Sequence, residues 1–151
     1  MVRMPVTLAL PDLRHAGLSD VGQVRDVNED ACAAEAMDGG HLFVVADGMG
    51  GHQSGDVASR VAVHTVVDAF RSGHAIDLSQ RLADALTAAH QAIVARQGMR
   101  QGRERMGTTA VALFVTPGQA HYAWVGDSRI YLVRDGELSA ITRDHTLGRE
   151  P

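Results

Sequence analysis

The chain has 151 residues, 45% of them hydrophobic and 21% charged, a balance that fits one soluble domain with a sizeable core and excludes disorder. Fourteen basic and 18 acidic residues give a net charge of −4, which argues against a general nucleic-acid binder, and every one of the bases is arginine. A single cysteine, Cys32, excludes an internal disulfide framework and a cysteine-based zinc site.

Residues 1–11 read as an N-terminal extension. Their apolar run, Val6 to Leu10, is too short for a spanning helix, which takes roughly 20 residues, and no signal-peptide cleavage pattern follows it. No membrane partner is expected, and the expected location is cytoplasmic.

The elements then follow in chain order. Ala31 to Ala34 and the apolar run Leu42 to Ala46 read as a hairpin, with Asp38-Gly39-Gly40 as its turn. The glycine-rich stretch Asp47 to Asp56 leads into a helix whose stripe is Ala58, Val61, Ala62, Thr65, Val66, Ala69 and Phe70. Asp77 is a good N-cap for a second helix, with Gln80 placed for a capping box. That helix carries the stripe Leu78, Leu82, Ala85, Leu86, Ala89 and Ile93, and Gly98 fits its end. A meander follows: Thr108 to Val115, a turn at Thr116 to Gln119, then Ala120 to Val125. Ile130 to Val133 and Leu138 to Ile141 flank Asp135-Gly136, a strong hairpin turn. Strands and helices that do not alternate singly predict an α+β fold.

Acidic residues concentrate early. Between Asp20 and Asp56 there are eight acids and one base, Arg25. Such a run is either solvated or converges on positive charge. If strand pairing sets Glu29 and Asp30 beside Asp47, three carboxylates share a small volume and raise one another's pKa unless a divalent cation intervenes. Oxygen ligands select Mg²⁺ or Mn²⁺, and the glycines after Asp47 let the backbone approach closely. The competing reading is ordinary turn chemistry, since Asp-Gly is common in turns.

Arg25 could hold phosphoryl oxygens, or form a salt bridge to a neighbouring carboxylate. Asp127, in Val125-Gly126-Asp127-Ser128-Arg129, could be a further ligand or simply a turn residue. Nucleotide loops are disfavoured, because Gln53 and Asp56 stand where a glycine and a lysine belong. The histidines, His52 among them, form no HExxH pair, and Ser128 has no G-x-S-x-G setting. Arg96, Arg100, Arg103 and Arg105 with Glu104 read as a solvated basic loop.

Several motifs in order carry a resemblance. They are Ser19-Asp20-x-Gly22-x-x-Arg25-x-x-Asn28-Glu29-Asp30, then Val45 to His52 with Gly55 and Ala58-Ser59. Gly107-Thr108-Thr109, Val125 to Arg129 with Tyr131, and Thr142-x-Asp144-His145 follow. From about Gly17 to His145 the sequence resembles the bacterial branch of metal-dependent serine/threonine protein phosphatases, the type 2C class.

The resemblance implies an α-β-β-α sandwich of two antiparallel sheets flanked by helices, with residues 12–151 as the N-terminal portion of the domain. It implies hydrolysis of phosphoserine and phosphothreonine in proteins by a metal-activated water. Two Mn²⁺ or Mg²⁺ ions are implied, with a third. Asp47 would bridge the two ions, the Gly48 carbonyl would bind one, and Asp127 would help bind the third. Glu29 and Asp30 would hold metal-bound waters, and Arg25 the substrate phosphate. Met49 stands where some members carry a general-acid histidine. The implied partner is a phosphorylated protein in a serine/threonine kinase system. The family pattern goes on to two more aspartate ligands, in Ser-Asp-Gly and Asp-Asn motifs, that this sequence does not carry. Exposed sheet edges are therefore expected. So is an alternative role, a catalytically weak or inactive module that binds phosphoproteins or regulates.

Overall fold

The computed structural model describes residues 13–50, 54–98 and 105–145. The expected N-terminal extension, Gly51, His52, Gln53, Arg100, Arg103 and Glu104 lie outside these residues.

The elements are β1 (Asp30–Met37), β2 (Gly40–Met49), α1 (Ser54–Ser72), α2 (Leu78–Gly98), β3 (Gly107–Thr108), β4 (Ala110–Thr116), β5 (Gln119–Val125), β6 (Tyr131–Arg134) and β7 (Glu137–Ala140). The larger sheet is antiparallel in the order β1-β2-β4-β5, with β3 paired to the end of β2. β6 and β7 form a separate two-stranded antiparallel sheet. Two antiparallel sheets and two helices give the α+β class expected from the sequence.

Alternation along β2 sets the layers. Leu42, Val44, Ala46 and Gly48 are buried, while Val45, Asp47 and Met49 are exposed, as a strand with one covered face requires. The covered face meets the helices, with α1 against β1 and β2 and α2 against β5. Buried Ala58, Ala62, Val66 and Phe70 line α1, and Leu82, Ala85, Ala89 and Ile93 line α2. Phe70 and Phe114 are each 1% exposed, with ring centroids 4.7 Å apart. The Arg81 guanidinium lies 4.5 Å from the Phe70 ring centre, and its Nε donates to the Phe70 carbonyl at 2.6 Å. One residue thereby satisfies an otherwise unpaired carbonyl near the end of α1 and packs α2 onto it.

The opposite face is more open. Cross-strand register sets Cys32, Val45, Val111 and Trp124 in one row and Ala34, Phe43, Leu113 and Tyr122 in the next. Cys32, Val45 and Tyr122 are exposed there. His145 stacks on Trp124 at 5.4 Å, and the Trp124 indole donates to the Arg143 carbonyl at 2.8 Å, so residues 143–145 cover one end of this face.

The local chemistry of the ends is mostly as the sequence predicts. Asp77 Oδ1 accepts the Ser79 amide at 2.9 Å, capping α2. The capping box does not close, because Gln80 donates to Asp84 at 2.8 Å instead. Asp135 and Gly136 both have positive φ, 54° and 82°, the two-residue turn that matches strand twist. The strand expected at Thr108 to Val115 is broken at Thr109, between β3 and β4.

Candidate metal centre

Antiparallel pairing of β1 and β2 sets Asp30 directly opposite Asp47, at the end of the hairpin away from its turn. The loop before β1 is held by its own polar residues. Asp20 Oδ1 accepts the Gly22 amide at 2.7 Å, Asn28 Oδ1 accepts the Asp30 amide at 3.0 Å, and Asn28 Nδ2 donates to Ser19 Oγ at 2.8 Å. These Asx-type bonds fix a loop that has no ladder to satisfy it. The result is a cleft of about 220 Å³ in which Asp20, Arg25, Glu29, Asp30 and Asp47 all take part.

Asp47 feels its surroundings most. Loss of surrounding water raises the Asp47 pKa above its ordinary value, although the side chain still reaches solvent. The charge of Asp30 and a hydrogen bond from its side chain raise it further, as does the charge of Asp127, while Arg25 opposes them. Arg25 Nη1 donates to Glu29 Oε2, so the salt bridge that the sequence left open is formed. Glu29 is the more enclosed partner, its side chain 12% exposed against 68% for Arg25.

Gly48 sits where no side chain fits. A Cβ there would lie 2.0 Å from the Gly55 carbonyl oxygen and 2.6 Å from that of Glu29. A Cβ on Gly55 would in turn lie 2.5 Å from Glu29 Oε1. The Gly48 amide donates to the Glu29 carbonyl at 3.0 Å. The first turn of α1 is thus pressed directly against the backbone of the site, the close approach that the glycines predict.

Two threonines complete the frame. The Thr109 amide donates to the Asp47 carbonyl at 2.9 Å, and the Asp47 amide donates to Thr109 Oγ1 at 3.1 Å. Thr108 Oγ1 lies within hydrogen-bond reach of the Asp47 and Thr109 carbonyls, at 2.9 and 2.8 Å. Asp127 lies in the turn after β5, beside an ion pair that spans the β6–β7 hairpin. Arg129 binds Asp144 bidentately at 2.8 and 2.6 Å, and the His145 amide donates to the Gly126 carbonyl at 2.9 Å. The Arg129 hydrogen bond holds the Asp144 carboxyl below its usual pKa, and Asp144 together with the Tyr131 hydroxyl raises that of Arg129.

The sequence singled out Arg25, Glu29, Asp30 and Asp47, and the fold gathers them in one cleft. It places Asp127 close enough to act on Asp47 through charge, outside that cleft's lining. Sequence reasoning assigned no role to Thr108, Thr109, Arg129 or Asp144, although all four stand in the motifs it quoted.

The donor set tests what could bind. It is hard and all-oxygen, and Asp47 carries the raised pKa that a divalent cation relieves. Among the described residues, no three His, Cys, Asp or Glu side chains converge closely enough to hold an ion by themselves. The chain therefore offers part of a centre: the Asp30–Asp47 pair, with Gly48 beside it. A larger cavity of about 570 Å³ lies between α2 and β4–β5, and among the described residues its lining has no acid or arginine.

Fold and cleft together define an α+β domain that gathers hard oxygen donors at the end of a hairpin. Residues 22–148 match the protein phosphatase 2C family, and the chain belongs to it. It is 41% identical over 134 residues to the serine/threonine protein phosphatase PstP of Mycobacterium tuberculosis, covering 89% of this chain and 25% of PstP. It is 36% identical over 137 residues to the serine/threonine phosphatase stp of Listeria welshimeri, covering 87% of this chain and 54% of that protein. A crystal structure of the catalytic domain of PstP in complex with two manganese ions superposes with a TM-score of 0.77 at 40% identity. That match covers 87% of this chain and 55% of the PstP chain. The chain thus spans about half the length of the Listeria protein and of the solved PstP domain.

Proposed function

We propose that the protein contributes to hydrolysis of phosphoserine and phosphothreonine in proteins, with Mn²⁺ or Mg²⁺ held at the Asp30–Asp47 end of the hairpin. The observation that carries this reading is the cleft itself, where two opposed carboxylates and an arginine with open donors share about 220 Å³. Asp47 and the Gly48 carbonyl would hold two ions, Asp127 a third, and Glu29 and Asp30 would orient water around them. When bound, such ions supply positive charge for the phosphoryl oxygens and acidify water.

The chain's own side chains do the rest. Arg25 spends one Nη1–H on Glu29, and its exposed guanidinium keeps further N–H donors for two phosphoryl oxygens. Glu29 keeps Arg25 at the rim. Asp30 and Asp47 set negative charge against negative charge across the hairpin, which a bound cation would offset. The substrate is a protein phosphorylated by a serine/threonine kinase, and the reading places both in the cytoplasm. Among the described residues no helix is long and apolar enough to cross a membrane.

One observation favours a second reading, a module that binds phosphoproteins with weak turnover or none: no three ligating side chains converge among the described residues. Phosphate release from p-nitrophenyl phosphate and from a phosphothreonine peptide, followed against Mn²⁺ concentration, decides between them. Release that depends on Mn²⁺ and is lost in Asp47→Asn is expected. Peptide binding through Arg25 without release would establish the second reading, and neither binding nor release would remove both.

A further inference from the structure

The β2 ladder has a defect at the residue that matters most. Register on either side, Val45 with Val111 and Gly48 with Thr108, sets Asp47 opposite Thr109. In a regular antiparallel pair the Asp47 amide would donate to the Thr109 carbonyl. It donates instead to the Thr109 hydroxyl, at 3.1 Å, while Thr108 Oγ1 stands 2.8 Å from that carbonyl. The Thr109 hydroxyl also lies 2.5 Å from Ser128 Oγ, next to Asp127. Thr109 is only 3% exposed, and Gly126 packs onto its methyl, where a Cβ on Gly126 would come within 2.7 Å.

Proton counting gives the bridge a direction. A threonine hydroxyl has one hydrogen and two lone pairs. One lone pair takes the Asp47 amide. In so enclosed a place the hydrogen needs an acceptor, and Ser128 Oγ is in reach. The chain of bonds runs from the Asp47 amide through Thr109 to Ser128, joining the strand end that carries Asp47 to the turn that carries Asp127.

We infer that Thr109 is a positioning residue whose hydroxyl sets the separation of Asp47 and the Asp127 turn, and thereby the affinity of the centre for its cation. The inference rests on the metal reading above. A β-branched side chain of the same size without the hydroxyl would fill the space and leave the Asp47 amide unpaired.

Mn²⁺ binding by calorimetry tests this, with the metal-free melting temperature of each variant as a control for folding. Thr109→Val is expected to weaken Mn²⁺ binding about tenfold or more, the size typical when a ligand's supporting hydrogen bond is removed. Thr109→Ser keeps the hydroxyl and is expected to bind within about twofold of the parent, and Ser128→Ala to weaken binding severalfold. Asp47→Asn is expected to abolish binding. A folded Thr109→Val protein that binds Mn²⁺ like the parent, while Asp47→Asn does not bind, overturns the inference and leaves the metal reading standing. Parent-like binding by Asp47→Asn, or none by the parent, overturns the metal reading itself. Should Thr109→Val not fold, Ser128→Ala decides, and unchanged binding there overturns the bridge.

Discussion

Asp30 and Asp47 are directly opposed cross-strand partners, so two acids occupy a position where strand pairing normally favours opposite charges. Asp47 has a raised pKa in the fold, so the folded state takes up its proton more readily than the unfolded chain. The resulting penalty is absent at pH well below its ordinary 3.8, grows as pH rises through the interval up to the folded value, and is complete above it. Asp47→Asn should therefore raise the metal-free melting temperature at pH 7, by up to about 3 °C. The same variant should lose the stabilisation that Mn²⁺ gives the parent, and thermal melts with and without the ion check both signs.

Gly55 should behave against its helix propensity. Alanine in a helix interior is favoured over glycine by roughly 1 kcal/mol, yet a Cβ at Gly55 would strike Glu29 and the Gly48 backbone. Gly55→Ala is expected to destabilise by about 1–3 kcal/mol, the usual range for overpacking. Gly98 has nothing within 4 Å of its would-be Cβ, and Gly98→Ala should be neutral or stabilising. Urea unfolding of the two variants makes the comparison.

Arg25→Lys keeps a positive charge for Glu29 and loses the planar fork. On the proposed reaction, KM for a phosphothreonine peptide should rise about tenfold, equivalent to one charged hydrogen bond, with a smaller change in kcat. Steady-state kinetics at saturating Mn²⁺ provides the split.

The Arg129–Asp144 pair carries a pH signature of the opposite sign to that of Asp47. Asp144 has a lowered pKa, so its contribution is complete above the ordinary 3.8 and is lost as pH falls through the folded value. Asp144→Asn should lower the melting temperature modestly at pH 7, where the pair's contribution is complete, and converge on the parent as pH falls through the folded value, which flattens the acid limb. A pH series of melts on parent and variant checks this.

Phe70→Ala should be among the costliest core changes, at about 3–5 kcal/mol. It empties the contact with Phe114 and removes the ring under Arg81. Denaturant unfolding measures it directly.

Much of this was legible in the residues. The run Leu42 to Ala46 announced β2, and the strand extends to Gly40 and Met49 because Gly40 packs against Phe114 and Val115 and because β3 pairs with its far end. Neither reason is local, so neither shows in periodicity. The first helix begins at Ser54, ahead of its apolar stripe, since its first turn is buried against Gly48. Glu29, Asp30 and Asp47 were readable as a cluster because a hairpin must bring them together. Arg129 and Asp144 were not, because a whole hairpin separates them, and the hydroxyl of Thr109 replaces a ladder carbonyl in a way no propensity encodes.

The order of the strands also sets a sequence of events. The hairpins β1–β2, β4–β5 and β6–β7 join neighbours across tight turns and can close early. Pairing of β2 with β4 must wait for a loop that contains both helices, and such distant closure is the slow kind. That closure is also what delivers Thr109 to Asp47. A chain with these hairpins formed and β4 not yet paired with β2 has its acidic pair and lacks the strand that frames it. On the proposed metal reading, the cation would be a ligand for the last stage of folding, and an ion-loaded centre would be a sign that the slowest step is over.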